Sequence, residues 1–350
     1  MNNIKLSNHV RLIAFFLTGA MLICTFGLTV DGWQSSNNDS VNNKQDNDLL
    51  NDTLSDTPDE ECFFSLLTGL STTEEKAAER PFAFIFDSIN SYGISASEVL
   101  IEIPIEDDEA RYLALMNDVS ELRKIGSIAC TRGYINNLIK YFDSIGVHNG
   151  FDDIIAYDSF DISDNSIDLS VSEDYGYTEN KDRIFTNYSL INSGINDLGI
   201  STKVKDKIKT PFCFSNDIVK YEKQALDVTL GLSEKSYIKL IYSSEGGKYS
   251  YYNNDIKNTD SPLGFTNCFI LFADSVTYDN VNGVQLVVDT LGGGTGFYLT
   301  NGTYTSINWI ADSSGTITFY FENSEKLVIN KGNSYIGFFR SSYATNVLFK

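Results

Sequence analysis

The sequence predicts an α+β protein with two domains, a mixed α/β domain at residues 66–220 and a β-rich domain at residues 221–350. Tyr and Phe are abundant (20 and 23 of 350 residues) and only five residues are Pro, a composition that favours strands. Helical periodicity occurs in the first region, whereas the second is a series of short apolar runs separated by turn residues. A membrane anchor (residues 12–30) and a disordered stalk (residues 31–65) are predicted to precede both domains.

The first domain opens with RPFAFIFDS (residues 80–88), a run too apolar for a half-exposed strand. It therefore predicts a strand in the middle of a sheet. Residues 93–105 and 111–118 predict two more strands, joined by the polar segment EDDEA. Because this connection contains no glycine, we expect a hairpin with a longer loop rather than a two-residue turn.

Two segments of the first domain carry a helical pattern. In RGYINNLIKYFDSIG (residues 132–146) the apolar side chains recur at helical spacing, and Gly146 is the predicted stop. A second helix is predicted near residues 188–198. Beyond a polar stretch at residues 220–224, strand follows strand without a helical pattern, which predicts an antiparallel β-rich domain.

The net charge of −21 and the pI of about 4.4 bound the class of partner. Such a chain is repelled by DNA, by RNA and by an anionic lipid surface, so a nucleic-acid-binding function is excluded. The charge mainly indicates a soluble, self-repelling surface. The more specific alternative is a cationic partner or a divalent metal.

An uncharged run of about 19 residues, LIAFFLTGAMLICTFGLTV (residues 12–30), follows Lys5 and Arg11. As a helix it would rise about 28 Å, which is close to the hydrocarbon thickness of a bilayer. The basic flank places residues 1–11 in the cytoplasm and the rest of the chain outside. No A-x-A-like site follows at once, so an uncleaved single-pass anchor in the cell membrane is favoured over a cleaved signal.

Lipidation at Cys24 is an alternative way of anchoring the chain. Bacterial lipoprotein signals place a small residue before the modified cysteine, whereas this chain has the bulky Ile23, so a cysteine inside a membrane helix is favoured. Residues 31–65 are rich in Asn, Asp and Ser and cannot bury enough apolar surface to fold. They predict an acidic, extended tether between the membrane and the folded body.

Cysteine usage and the glycine-rich run point to no metal or cofactor. None of the five cysteines forms a C-x-x-C pair, so a zinc or redox motif is not indicated. Mostly free thiols are favoured because Cys130 and Cys268 lie in apolar runs, although two disulfides stay possible. The run TLGGGTGFY (residues 290–298) leads into a strand rather than into the Lys-Ser/Thr of a phosphate loop. A glycine-rich hairpin or bulge is the favoured interpretation.

Two further features of the sequence are candidate sites. His148 is one of two histidines and the only one in the folded body, but no G-x-S-x-G elbow supplies a nucleophile for it. A hydrogen-bonded structural histidine is therefore favoured over a general base. The acidic run from Glu106 to Glu109 could bind Ca²⁺ or Mg²⁺, but it lacks the spacing of an EF-hand loop. A solvated loop is favoured there, and no metal site is predicted.

A series of segments from about Leu66 to the end of the chain resembles the YerB-like lipoproteins of Gram-positive bacteria, a family of unknown biochemical function. The segments are LTGL (residues 67–70), RPFAFIFD, GISASEVLIEIPIE, RYLAL, KIGSIACTR, VHNG, TLGGGTGFYLTNG with Trp309, and FYFENSEKLVINKGNSYIGF. Their order and spacing are more specific than any one of them. The resemblance implies a two-domain α/β protein that is secreted and tethered by a lipid-modified cysteine.

The resemblance also implies candidate ligand-binding residues. The family's second strand ends in Glu-Gly-Gly-x-Thr-Arg, where this chain has Glu106 to Arg111, and a Val-Arg-Ser-Ala-Arg run becomes residues 128–132 with one arginine lost. A His-x-Gly element is kept at His148. Glu106, Arg111, Arg132 and His148 could therefore meet in one pocket. An Arg–Glu pair that only ties strands together is an equally weighted alternative.

These observations predict a membrane-tethered, extracytoplasmic protein of the cell envelope that binds or scaffolds without catalysis. Its expected partner is a cell-wall component or another envelope protein, held in the cleft between the domains or by the β-rich domain. The alternative is an extracytoplasmic, hydrolase-like enzyme with Glu106, Arg111, Arg132 and His148 around its site. The non-enzymatic function is favoured because the sequence carries no catalytic signature.

Overall fold

The structure is a computed structural model that describes residues 63–106, 109–152, 161–179, 183–204, 210–254, 256–257, 263–280, 283–312 and 316–350. All of these residues belong to one compact unit. The predicted cytoplasmic end, anchor and nearly all of the stalk lie outside the described residues, and so do Cys24, Asp107 and Asp108. Within the described part of the chain, no helix is long and apolar enough to cross a bilayer.

Strands dominate the described residues, and helices are few. The strands are β1 (Phe63–Phe64), β2 (Ser71–Thr72), β3 (Phe82–Phe86), β4 (Val99–Pro104), β5 (Ala110–Met116), β6 (Ile125–Ile128), β7 (Ile145–His148), β8 (Ser166–Asp168), β9 (Tyr177–Glu179), β10 (Arg183–Thr186), β11 (Lys223–Gln224), β12 (Asp227–Gly231), β13 (Tyr237–Ser243), β14 (Lys248–Asn253), β15 (Ile256–Lys257), β16 (Gly264–Phe265), β17 (Asn267–Ala273), β18 (Ser275–Asn280), β19 (Gly283–Val288), β20 (Gly293–Thr300), β21 (Thr303–Ala311), β22 (Ile317–Phe321), β23 (Ser334–Arg340) and β24 (Val347–Phe349). The α-helices are α1 (Glu74–Ala77), α2 (Gly133–Tyr141) and α3 (Tyr188–Leu198), and short 3-10 helices lie at Ile94–Ala96, Ser163–Asn165 and Ser341–Asn346.

One large sheet runs through both predicted domains. Its main strand order is β11-β21-β20-β17-β23-β4-β5-β3-β6-β10-β9, with β22 beside β21, β7 beside β3 and β8 beside β7. The strands of the two predicted domains meet at β23 and β4, which pair in parallel from Ser334 opposite Val99 to Gly337 opposite Glu102. Strand β23 also pairs in parallel with β17, so the second domain is not purely antiparallel as predicted. Parallel pairing arises because β23 returns to the sheet after a long crossover.

Different elements cover the two faces of the large sheet. A second sheet of order β15-β14-β13-β12-β24, with β16 beside β14, packs with α3 on the face that carries Leu100 of β4. Helix α2 packs on the opposite face, which carries Ile101. Neighbouring residues of β4 serve opposite faces because side chains alternate along a strand. Strand β4 is therefore covered on both sides, and Glu102 faces the same side as Leu100.

Several predicted elements are present as expected. Strand β3 is fully buried and pairs with β5, β6 and β7, so its central place in the sheet is confirmed. Strands β4 and β5 form the predicted antiparallel hairpin, and α3 has the predicted bounds. The three cysteines of the described residues, Cys130, Cys213 and Cys268, are free.

The predicted stop of the first helix is wrong. Helix α2 ends at Tyr141 rather than at Gly146, and Asp143 just beyond it has a φ of 46°, in the left-handed region that ends a helix. Gly146 instead lies in β7, where an added Cβ would come within 3.2 Å of the Cβ of Ser166 in the neighbouring strand. This glycine thus permits close packing of two strands.

Candidate functional site

Three of the segments singled out by the sequence meet at Arg132, which caps the N-terminal end of α2. Its Nη1 and Nη2 atoms donate hydrogen bonds of 2.8 Å to Oε1 and Oε2 of Glu106, a bidentate pair just beyond β4. Its Nη2 atom also lies 2.8 Å from Oδ2 of Asp152, which follows β7. The Arg132 side chain is 4% exposed, whereas those of Glu106 and Asp152 are 19% and 40% exposed.

This ion-pair group also binds a strand of the second domain. Oε1 of Glu106 accepts a hydrogen bond from the backbone N–H of Leu286 in β19. The side chain of Gln285 donates a 2.8 Å bond to the backbone oxygen of Asp152. The group thus joins the ends of β4 and β7 to the β18–β19 hairpin.

The electrostatics of the group keep it charged. Burial raises the pKa of Glu106, but the bonds from Arg132 and from the backbone of Leu286 outweigh burial and lower that pKa overall. Burial lowers the pKa of Arg132, but its bonds to Glu106 and Asp152 outweigh this and raise that pKa overall. A carboxylate so firmly paired is a weak general acid or base near neutral pH.

Arg111 lies beside this group and has no ion pair with any of the described residues. Its Nη2 atom is 3.9 Å from Sγ of Cys130, and its Nε atom is buried without a hydrogen-bond partner among the described residues. Burial raises the pKa of the Cys130 thiol, and the nearby Arg111 opposes this only in part. The thiol therefore stays protonated and is not an activated nucleophile.

His148 ends β7 and is held separately from the other three candidates. It is 1% exposed; its Nδ1 atom lies 3.2 Å from the backbone oxygen of Gly150, and its Nε2 atom lies 3.2 Å from Oγ of Ser166. Burial lowers its pKa, against the opposing charge of Asp168 at 3.9 Å, so the ring is neutral. In the described residues no hydrogen bond or ion pair connects it to Glu106, Arg111 or Arg132.

The two described ends of the acidic run lie in different places, because Glu106 pairs with Arg132 while Glu109 lies on the wall of a different cleft.

The glycine-rich run forms β20, as the hairpin interpretation predicted. An added Cβ at Gly294 would collide with the backbone oxygen of Phe272 in β17, so a glycine is required where these strands approach.

A second polar site, which sequence reasoning missed, is centred on Glu102 of β4. This side chain is only 3% exposed. Its Oε2 atom accepts hydrogen bonds from the hydroxyl groups of Tyr251 at 3.0 Å and Tyr335 at 2.5 Å. Burial raises the pKa of Glu102 to about 7, although both tyrosine bonds lower it.

Glu102 lines a cleft of about 410 Å³. One wall comes from the first domain and carries Asp87, Glu109 and Tyr112, and the other comes from the second domain and carries Leu232 and Asn253. The volume suits a small ligand or one side chain of a larger one. A narrower pocket on the other side of Glu109 shares Glu102 and reaches Arg340 and Tyr343.

One signal in the sequence could have identified this site. Glu102 is the single charged residue in the strand VLIEIP, and a lone carboxylate in a buried strand requires hydrogen-bond partners. Asp152, the other missed residue, follows His148 by four positions in HNGFD, a segment that the sequence had already singled out. A polar residue close to a motif is a weaker signal than a charge inside a buried strand.

The fold and the cleft define a strand-rich protein in which two consecutive regions share one sheet. Residues 67–201 match the N-terminal domain of a protein family of unknown function (DUF3048), and residues 228–336 match the C-terminal domain of the same family. Together the matches cover more than half of the chain. The chain belongs to this family.

The chain is also similar in structure to the YerB protein from Bacillus subtilis, as the resemblance in the sequence predicted. The TM-score is 0.69 at 18% sequence identity, and the similarity covers 82% of this chain and 99% of the YerB chain. At this identity the similarity supports the fold. A search of curated proteins finds no match.

Proposed function

We propose that this chain is a membrane-tethered, extracytoplasmic protein of the cell envelope that binds a ligand without catalysis. The observation that carries the proposal is the cleft above Glu102, whose walls come from both family domains. A cleft between domains is a preferred place for ligand binding. The proposed partner is a cell-wall component or another envelope protein.

The arrangement around Arg132 supports binding rather than hydrolysis. Glu106 and Arg132 satisfy each other in a bidentate pair, and neutral His148 is bonded elsewhere. A hydrolase needs a general base within hydrogen-bond reach of the reacting group. Glu106 and Arg132 therefore support a role in joining the two domains more than a role in chemistry, and His148 supports a structural role within the first domain.

The proposed location depends on the N-terminal sequence. The uncharged run at residues 12–30 and its basic flank support a single-pass anchor with the body outside the cytoplasm. An acidic body on an acidic stalk is repelled by an anionic lipid surface. This charge favours partners that lie away from the membrane, in the cell wall.

Site-specific photocrosslinking in cells tests the proposed function. A photoreactive residue replaces Asn90, an exposed residue of the cleft, and in a control it replaces Val171, which is 70% exposed and does not line the cleft. We expect a wall fragment or an envelope protein to be joined to the first variant only. Equal products from both positions, or none from Asn90, would overturn the proposal.

A further inference from the structure

Among the described residues, hydrogen-bond donors reach only one oxygen of the Glu102 carboxylate. Its Oε2 atom accepts both tyrosine bonds, whereas its Oε1 atom accepts no hydrogen bond from the described residues. Oε1 is not one of the described side-chain atoms that are buried without a partner, so it is accessible from the cleft. A polar atom in this position is normally hydrogen-bonded to water or to a ligand. Because Glu102 lines the cleft, its Oε1 atom can accept a hydrogen bond from a donor that binds there.

The charges of the residues that line the cleft indicate which kind of hydrogen-bond donor can bind to Glu102. The described lining residues include the carboxylates of Asp87, Glu102 and Glu109 and contain no Lys, Arg or His. Two described basic groups lie close to the lining residues: Arg183, which is 3.9 Å from Asp87, and Arg340 in the adjoining narrow pocket. The field at Glu102 is therefore negative, so an anion is disfavoured and a cation is favoured.

The shape of the cleft distinguishes an organic cation from a bare metal ion. In the described residues no group of three or more His, Cys, Asp or Glu side chains could hold a metal. Apolar parts of Ile89, Tyr112 and Leu232 line the same walls and can contact an alkyl chain. An alkylammonium group matches both features, because it has three N–H donors and a carbon chain.

We infer that the cleft recognises a protonated primary amine whose N–H groups donate to Oε1 of Glu102. The inference rests on the proposed function, of which it names the ligand class. Two sources share this chemistry: the side-chain amine of a basic residue in a wall peptide, and a free alkyl diamine. Asp87 and Glu109 add negative charge at the rim of the cleft.

Release of the Glu102 proton when the amine binds is a second measurable sign of the contact between them. The pKa of Glu102 is raised to about 7, mainly by burial, so a bound cation displaces its proton at neutral pH. The surrounding hydroxyl groups of Tyr112, Tyr251 and Tyr335 have a pKa raised by burial and stay protonated. At neutral pH, therefore, the carboxyl group of Glu102 changes its protonation state and these tyrosine hydroxyl groups do not.

Calorimetric titration of the full-length chain, purified in detergent, tests the inference. The probes are Nα-acetyl-lysine amide, 1,4-diaminobutane and the neutral control Nα,Nε-diacetyl-lysine amide, each titrated at pH 7 in phosphate and in MOPS, two buffers without a primary amine. We expect both amines, or one of them, to bind with release of a fraction of a proton, because Glu102 is partly protonated at pH 7. Preference for the lysine derivative indicates the peptide source, and preference for the diamine indicates the free source.

Two variants localise the binding. Glu102→Gln keeps the side-chain size and is expected to weaken amine binding at least tenfold and to abolish proton release. Glu98→Gln is the matched control, because Glu98 also has a pKa raised to about 7 by burial but bonds to Asn117 and does not line the cleft. A melting curve for each variant confirms folding.

Two results would overturn the inference. One is equal binding of the diacetylated control, and the other is unchanged amine binding by Glu102→Gln. If no amine binds while photocrosslinking at Asn90 succeeds, the amine is the wrong ligand class and the proposed function stands. If both experiments fail, the proposed function fails with it.

Discussion

The hydroxyl group of Tyr335 donates a 2.5 Å hydrogen bond to Oε2 of Glu102, and so joins the C-terminal family domain to the N-terminal one. The parallel pairing of β23 with β4 places Tyr335 opposite Leu100 and Gly337 opposite Glu102. An added Cβ at Gly337 would lie 2.7 Å from the Tyr335 hydroxyl. The glycine thus leaves the space through which the tyrosine reaches the carboxylate.

Removing this hydroxyl in Tyr335→Phe is expected to raise the pKa of Glu102 further, because the tyrosine bond is one of the two that lower it. We expect a loss of about 1–3 kcal/mol in the free energy of unfolding, which is larger at pH 8 than at pH 5 because the bond stabilises the charged carboxylate. Urea denaturation at both pH values measures this. Tyr92→Phe, at a residue 57% exposed, is the control and should change little.

The free energy of unfolding should fall with rising pH over the range in which Glu102 loses its proton. Its pKa in the folded state, about 7, lies above the ordinary value of 4.5, so the folded state binds the extra proton. The stabilisation is present in full below pH 4.5 and is lost as pH rises through 7, by about 3 kcal/mol. Glu98 contributes in the same direction and window.

The difference between the wild type and Glu102→Gln separates the two glutamates, because Glu98 is common to both proteins. Chemical denaturation between pH 4.5 and 8 should show the wild type losing stability relative to this variant. A difference that does not change with pH would contradict the raised pKa of Glu102.

Loss of Arg132 should loosen the contact between the two family domains. Arg132→Ala leaves Glu106 and Asp152 unpaired, and we expect it to cost about 3–5 kcal/mol of stability. The amide of Leu286, which donates to Glu106, should exchange its hydrogen faster. Hydrogen-exchange mass spectrometry over β18–β19 measures this effect.

The matched control for Arg132→Ala is Lys76→Ala. Lys76 lies 2.7 Å from Asp118, but both side chains are about half exposed, at 52% and 49%. A surface pair of this kind contributes little to stability, because both charges are well solvated. Equal effects of the two substitutions would mean that the Arg132 group does not hold the domains together.

Mass spectrometry of the native N-terminus tests the predicted anchor. We expect a peptide that retains residues 1–11 and carries an unmodified Cys24, because Ile23 is a poor residue before a lipidation site. Cys24→Ser should therefore leave the protein in the membrane fraction. A chain that begins at a lipid-modified Cys24 would instead establish a lipoprotein.

Local patterns allowed much of the fold to be predicted. The apolar run of β3, the β4–β5 hairpin and the bounds of α3 each depend on residues near one another in the sequence. The pairing of β23 with β4 could not be predicted, because it joins strands more than 200 residues apart. Gly146 shows the limit of a local rule, since close packing against β8 decides its place.

The polar residues of the sites were predicted less well than the strands. Glu106 and Arg132 do meet, but the sequence did not indicate Asp152 as their third partner. Glu102 was overlooked because one glutamate in VLIEIP does not disturb a strand pattern. Its partners, Tyr251 and Tyr335, come from the other family domain, so only the tertiary structure identifies the carboxylate as buried and bonded.

The place of β23 between β17 and β4 has a consequence for biosynthesis. Strand β4 is made early, yet the neighbour that covers one of its edges comes from residues 334–340, close to the end of the chain. Until those residues have been synthesised, the edge of β4 is open to pairing with another chain. The large sheet is therefore completed only after residues 334–340 have been made, and an unfinished chain is prone to pair with another chain.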